Sequence, residues 1–118
     1  MNAHVDFPPI TLLHLRPIDV LARAIYHTTM GSLEPMPAIQ LADLLRPLCE
    51  LSGEMAEVCA GGRYANLAST CNSYLGAVHR VLSTSQAELE PAWIADLLTP
   101  IMVMFDMAEA GAEGVDHE

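Results

Sequence analysis

The sequence predicts an all-α protein folded as a four-helix bundle. Three observations lead to this prediction. Apolar residues recur in steps of three and four in four successive segments, the spacing that places them on one face of a helix. Proline or glycine punctuates the stretches between the segments. Strict alternation of apolar and polar residues, which is typical of strands, is absent outside residues 10–15. Four helices with short connectors favour a bundle.

The beginning of the chain predicts a loose arm followed by the first helix. Residues 1–9 contain two prolines and show no periodicity, so we expect a flexible N-terminal arm. Residues 10–15 fit either a short strand or an extra helical turn. Pro17 suits the first position of a helix, where its missing N–H costs nothing. We therefore predict the first helix over about 17–30, with a stop at Gly31.

The second and third helices are predicted over about 38–60 and 63–86, on either side of Gly61 and Gly62. Pro47 lies inside the second helix, where a proline removes one backbone hydrogen bond, so we expect a kink or a break there. The apolar stripe of the second helix comprises Leu41, Leu44, Leu48, Leu51, Met55 and Val58. The stripe of the third comprises Tyr64, Leu67, Cys71, Tyr74, Val78 and Val81.

The fourth helix is predicted from Pro91 to about residue 110, with a second internal proline at Pro100. Its apolar residues are Trp93, Ile94, Leu97, Leu98, Ile101, Met104 and Phe105. Residues 111–118 are rich in glycine and acidic residues, and we expect a disordered acidic tail. Because 118 residues suffice for one core, residues 10–110 are predicted to form a single domain.

Two blocks of the sequence resemble each other. Residues 41–48 and 94–101 match without a gap and place an aspartate and a proline at the same positions. Flanking Leu-Glu-Pro and Met-Ala-Glu tripeptides also match, with small shifts. One interpretation is coincidence between two leucine-rich helices. The other is a duplication, which predicts that helices one and two form one hairpin and helices three and four a second. The two hairpins, each with a proline-kinked second helix, would be related by a pseudo-twofold axis.

The charge and the composition exclude several classes of function. The chain has five basic and fifteen acidic residues, a net charge of −10 and a pI of about 4.7. So few cations argue against binding to nucleic acid or to anionic lipid. A hydrophobic fraction of 52% and a mean hydropathy of +0.29 argue against intrinsic disorder. Without a basic leader segment or an apolar run of membrane length, we expect a cytoplasmic, bacterial-type protein that does not enter a membrane.

Motifs for catalysis or for metal binding are absent from the sequence. The histidines and the three cysteines lack the paired spacings of zinc sites. Cys49 and Cys71 can approach each other across the hairpin of helices two and three, but two thiols do not make a metal site, and we interpret them as small core residues. Glu50, Glu54 and Glu57 are interpreted as a solvated charged face. We therefore predict a protein that is not an enzyme and has no cofactor.

Two surfaces are candidates for association. In the fourth helix, Met102, Val103 and Met107 point away from the inward stripe, so this helix is either central to the fold or carries a contact surface. In the third helix, small residues lie opposite the apolar stripe and would allow another helix to approach closely. These small residues are Ser69, Ser73 and Gly76. The alternative for the third helix is a solvated, serine-rich face.

These observations predict a small, acidic, non-catalytic protein–protein interaction or regulatory module. We expect a homodimer that uses the two surfaces above, and a further protein partner with a basic surface. Two rival functions stay open. One is an acidic inhibitor of a nucleic-acid-handling protein. The other is a sensor that holds an apolar small ligand between the kinked helices, in a pocket near Tyr74 and Trp93.

Overall fold

The computed structural model describes residues 12–31 and 34–116. Within these residues four helices pack against one another, which confirms the predicted all-α four-helix bundle. The elements in chain order are α1 (Leu12–Met30), β1 (Met36–Pro37), α2 (Ala38–Val58), α3 (Ala65–Thr84), β2 (Glu88–Leu89) and α4 (Ala92–Asp116). The predicted N-terminal arm, residues 1–9, lies outside the described residues.

Two helices are longer than the sequence predicts. α1 begins at Leu12, so Pro17 lies inside the helix and residues 12–15 are helical. This extension is stabilised by packing, since Leu15 is fully buried and Leu12 packs against the core. α4 continues to Asp116, so the part of the predicted disordered tail up to that residue is helical. The glycines of this last segment each disfavour a helix by about 1 kcal/mol, but residues 111–116 contain no proline.

The helices do not pair as the sequence analysis predicts. α1 packs most closely against α4 and α2 against α3, whereas the contact between α3 and α4 is slight. The expected hairpins, helix one with two and helix three with four, are therefore wrong. Each close pair instead takes one helix from the first half of the chain and one from the second half.

A short antiparallel strand pair, which the sequence does not predict, joins the two connectors. Met36 lies opposite Leu89 and Pro37 opposite Glu88. The Ala38 N–H extends this pairing by donating to the Ala87 carbonyl over 3.0 Å. Because the connector of each half is tied to the connector of the other, the helices of the two halves are held beside one another.

Burial repeats along the chain at a constant offset of 53 residues. Six positions of α2, in the first copy of the repeat, are buried: Ala38, Leu41, Ala42, Leu45, Leu48 and Ser52. The six positions 53 residues later are buried as well: Pro91, Ile94, Ala95, Leu98, Ile101 and Phe105. The same offset relates four of the six buried residues of α1 to buried residues of α3, namely Leu15, Ile18, Ala22 and Thr29 to Ala68, Cys71, Leu75 and Leu82.

The strand pair lies at the centre of this repeat. Met36 is paired with Leu89, which is its own counterpart at the offset of 53 residues. A pseudo-twofold axis therefore passes through this pair and exchanges α1 with α3 and α2 with α4. The structure supports the duplication, but with exchanged helix partners, and it makes the two Leu-Glu-Pro tripeptides non-equivalent.

The core is one cluster that draws on all four helices. Several members of the predicted stripes are exposed instead, namely Leu44, Val58, Val81 and Trp93. In α2 the buried arc includes Leu45 rather than Leu44, because this helix packs against α3 on one side and contacts α1 on another. Both α2 and α4 run through their prolines, so neither Pro47 nor Pro100 breaks its helix, and the predicted kinks stay predictions.

We expect the neighbours Leu44 and Leu45 to respond differently to truncation. Leu45→Ala should lower the free energy of unfolding by about 2–5 kcal/mol, because it opens a cavity at a fully buried position. Leu44→Ala, at an exposed position, should change it by less than about 1 kcal/mol. Urea denaturation of both variants measures the difference, and equal losses would contradict the observed orientation of α2.

Candidate protein-interaction surface

The structure places the predicted surface of the fourth helix partly in solvent. Val103 is 46% exposed, Met107 is 70% exposed and Met102 is half-buried. α4 is therefore not wholly enclosed by the other helices. The apolar excess that the sequence shows in this helix lies in part on the outside of the bundle, as an association surface requires.

The predicted small-residue surface lies on α3, in the other close helix pair. Ser69 and Ser73 are exposed. A Cβ placed on Gly76 would meet no atom within 4 Å apart from its own helix backbone and chain neighbours. Within the described residues, no helix approaches α3 closely at Gly76. The structure does not bring this surface together with the surface on α4.

α1 contributes three exposed large apolar residues that the sequence analysis missed, namely Leu13, Val20 and Met30. Leu13 is 69% and Val20 is 58% exposed, and their spacing of seven places them on one helix face. Arg16 and Arg23 share this face, three residues beyond Leu13 and Val20 respectively. The spacing was visible in the sequence, but Leu13 lay outside the predicted first helix.

Ion pairs connect this face of α1 to α4. The Arg16 guanidinium donates to Glu109 Oε1 over 3.2 Å, and Arg23 Nη2 donates to Asp106 Oδ1 over 2.7 Å. Val103 precedes Asp106 by three residues, and Met107 follows it directly. We call Leu13, Val20, Val103 and Met107 the α1–α4 patch. It consists of apolar side chains that flank the ion pairs between the two helices.

Arg23 is the centre of this network. Its Nε donates to Asp19 Oδ1 over 2.8 Å, while its Nη2 reaches Asp106. The hydrogen bond to the nearly buried Asp19 is the main cause that raises the pKa of Arg23. One guanidinium thus serves two carboxylates, and the patch carries little net charge although the chain as a whole is strongly acidic.

The pseudo-twofold provides an internal comparison for the patch. Each of its four positions has a counterpart 53 residues away, in α2 or α3. The counterparts of Leu13, Val20, Val103 and Met107 are Asn66, Ser73, Glu50 and Glu54, and all four counterparts are exposed. The α1–α4 pair and the α2–α3 pair therefore carry different outer surfaces at these positions, although they share a pattern of buried residues. The fold does not require apolar residues at these positions.

The ion-pair network of Arg23 is also found on the α1–α4 pair and not at the equivalent positions of the α2–α3 pair. The counterparts of Asp19, Arg23 and Asp106 are Asn72, Gly76 and Gly53. In place of the charged groups, the Ser52 hydroxyl donates to the Cys49 carbonyl over 2.9 Å and lies 3.4 Å from Asn72 Oδ1. The α2–α3 pair therefore meets through small, neutral groups, whereas α1 and α4 are connected by charges.

The cysteines do not form a reactive or metal-binding group. The Cys49 thiol donates to the Leu75 carbonyl over 3.5 Å, and Cys59 and Cys71 are buried. Burial raises the pKa of all three thiols, that of Cys71 to about 11. Among the described residues, no three His, Cys, Asp or Glu side chains are grouped so that they could hold a metal ion.

An apolar pocket lies beside Tyr74, one of the two residues that the sequence analysis names for a ligand pocket. Tyr74 borders an apolar pocket between α3 and α4, and its hydroxyl donates to the Leu97 carbonyl over 2.6 Å. Trp93 is not part of this lining and is 57% exposed. Of the two predicted pocket residues, Tyr74 thus lies beside this pocket and Trp93 does not, and the function of both stays a prediction.

Comparisons with known proteins do not assign the chain to a family. No protein-family model, no curated protein and no solved structure matches it. In the part of the chain that the structure describes, no helix combines the length and the apolarity needed to cross a bilayer. The internal comparison of the two halves is therefore the main guide to function.

We predict that Arg23 matters more for stability than a comparable surface arginine does. Arg23→Gln removes the group that hydrogen-bonds the nearly buried Asp19 and should lower the free energy of unfolding by about 1–3 kcal/mol. Arg46→Gln breaks only the exposed pair with Asp43 and should change it by at most about 0.5 kcal/mol. Thermal and urea denaturation test this difference, and a loss for Arg46→Gln as large as that for Arg23→Gln would contradict it.

The buried thiols should react slowly in the folded protein. With a pKa near 11 instead of 9, Cys71 at pH 8 has about one hundredth of the thiolate of an ordinary cysteine. We expect a disulfide reagent to modify the half-buried Cys49 first and Cys71 only after unfolding. Mass spectrometry of peptides after timed labelling identifies the order. Labelling of Cys71 at the rate of the unfolded chain would be inconsistent with its burial.

Proposed function

We propose that this chain is a non-catalytic protein-interaction module that acts as a homodimer, with the α1–α4 patch as the dimer contact. The observation that carries the proposal is the internal comparison. Four exposed positions are apolar on the α1–α4 pair and polar at their counterparts on the α2–α3 pair, although the two helix pairs share a set of buried core positions. Exposed apolar area that the fold does not need is typical of a surface covered by another molecule.

The patch lies on the α1–α4 pair and has no apolar equivalent on the α2–α3 pair, and this favours a closed dimer. A second copy can cover the patch with its own patch, because a twofold contact uses the same surface on both partners. The counterpart surface carries Glu50 and Glu54 and would repel a third copy. Association should therefore stop at two chains rather than continue into a filament.

The charges also favour this face for contact between two acidic chains. Each copy has a net charge of −10, so most orientations of approach are repulsive. At the patch, however, Arg16 and Arg23 offset most of the charge of Glu109, Asp106 and Asp19. Two of the five basic residues of the chain lie here, so this is a face on which two copies meet with little repulsion.

A dimer of this kind leaves acidic side chains available to a further partner. Glu50, Glu54 and Glu57 of α2 are exposed and lie on the other close helix pair. They support binding to a protein with a basic surface, which would be favoured electrostatically and weakened by salt. The dimer contact, which is largely apolar, should respond to salt in the opposite way.

We expect one added charge on the patch to separate the dimer. Val20→Glu places a carboxylate in the contact and should raise the dissociation constant by about tenfold or more. Ser73→Glu is the matched control, since it adds the same charge at the pseudo-equivalent exposed position on α3. Sedimentation equilibrium at about 10–100 µM measures both variants against the unchanged protein.

The sedimentation results distinguish a failure of the proposed dimer from a wrong choice of contact face. A monomeric unchanged protein over this concentration range would contradict the dimer, and dissociation by Ser73→Glu as strong as by Val20→Glu would contradict the choice of face. Raising the ionic strength from about 0.05 to 0.5 M should leave the dimer unchanged or strengthen it, because salt screens the repulsion between two acidic chains. Dissociation by salt would show that the contact depends on opposite charges instead.

A further inference from the structure

The pocket beside Tyr74 is a feature in which the second half of the chain, α3 and α4, differs from the first half, α1 and α2. It lies between α3 and α4 with a volume of about 240 Å³ and opens to solvent. Its lining is wholly apolar and is formed by Tyr74, Ala77, Val78, Val81, Leu82 and Leu97. Val81 is largely exposed at this site, so a molecule could enter from solvent without unfolding a helix.

The pseudo-equivalent region between α1 and α2 is built differently. Those two helices approach each other more closely than α3 and α4 do. The counterparts of Val81 and Leu82 are Thr28 and Thr29, whose hydroxyls donate to the Ala24 and Ile25 carbonyls over 2.8 Å. The duplicated fold therefore accepts polar side chains and a narrower gap at this place. The wider and wholly apolar gap belongs to the α3–α4 side.

The chemistry of the lining restricts what the pocket can hold. Among the lining residues only Tyr74 has a polar side-chain atom, and its hydroxyl already donates to the Leu97 carbonyl at 2.6 Å. A charged or strongly polar group that entered the pocket would lose its hydration without gaining a hydrogen bond, so the part of a ligand that fills the pocket must be apolar. An apolar protein cavity of about 150 Å³ holds benzene, so by proportion this larger pocket fits roughly ten heavy atoms.

We propose that the α3–α4 pocket is a binding site for a neutral, apolar small molecule with one or two rings or a branched carbon skeleton. The proposal does not depend on the proposed dimer, because none of the lining residues belongs to the α1–α4 patch. For a ligand of this size without polar anchors, a dissociation constant of roughly 10 µM to 1 mM is expected.

Naphthalene, which is neutral and has ten carbon atoms, is a suitable probe. Titration of the full-length protein, followed by methyl NMR, should shift the resonances of Val78, Val81, Leu82 and Leu97 saturably. The charged analogue naphthalene-2,6-disulfonate should bind at least about tenfold more weakly, because it carries a sulfonate at each end and cannot fill the pocket without desolvating one of them. Equal binding of the two probes, or the absence of a saturable shift, would overturn the proposal.

A matched pair of variants locates the site. Ala77→Leu fills the pocket and should abolish the naphthalene shifts. Ala24→Leu makes the same change at the pseudo-equivalent exposed alanine of α1 and should leave binding intact. Both changes introduce a good helix former at an exposed position, so both variants should fold, which circular dichroism verifies. Binding that survives in Ala77→Leu, or that is lost equally in both variants, would refute the pocket as the site.

Discussion

The antiparallel pairing of Met36 with Leu89 is the constraint on which the arrangement of the helices depends. It ties the two connectors together at the pseudo-twofold axis, so each half of the chain must place its helices beside those of the other half. The result is that α1 packs with α4 and α2 with α3. A two-residue strand contributes few hydrogen bonds, but the duplicated chain around it buries the same positions on both sides, and the packing of those positions stabilises the arrangement.

A burial pattern that repeats within one chain allows equivalent positions of its two copies to be compared. Positions that are buried in both halves are those that the fold needs, and they keep residues that can be buried, such as Leu48 and Ile101 or Leu45 and Leu98. Exposed positions are free to differ between the halves. The contrast between Val20 and Ser73, or between Met107 and Glu54, therefore carries information that a single copy of the unit would not provide.

The two close helix pairs differ in how their helices meet and in the side chains that they present to solvent. The α1–α4 pair is joined by the ion pairs of Arg23 and presents apolar side chains to solvent. The α2–α3 pair meets in part through Ser52 and Asn72, and at the positions equivalent to the α1–α4 patch it presents polar and acidic side chains. The gap beside Tyr74 lies where the two pairs diverge. We infer that an association surface and a ligand pocket can coexist in one small bundle because they occupy different faces of it.

The sequence by itself determined the four helices and the excess of apolar residues in α4, because helical periodicity is a local property that can be counted along the chain. It also showed the repeat through the blocks at 41–48 and 94–101. Tertiary structure alone decided that Leu45 rather than Leu44 faces inward, that α1 begins before Pro17, and that α1 pairs with α4. Each of these outcomes depends on contacts between residues far apart in the chain. Leu13 and Val20 join Val103 and Met107 on one surface for the same reason, since the pairing of α1 with α4 brings them together.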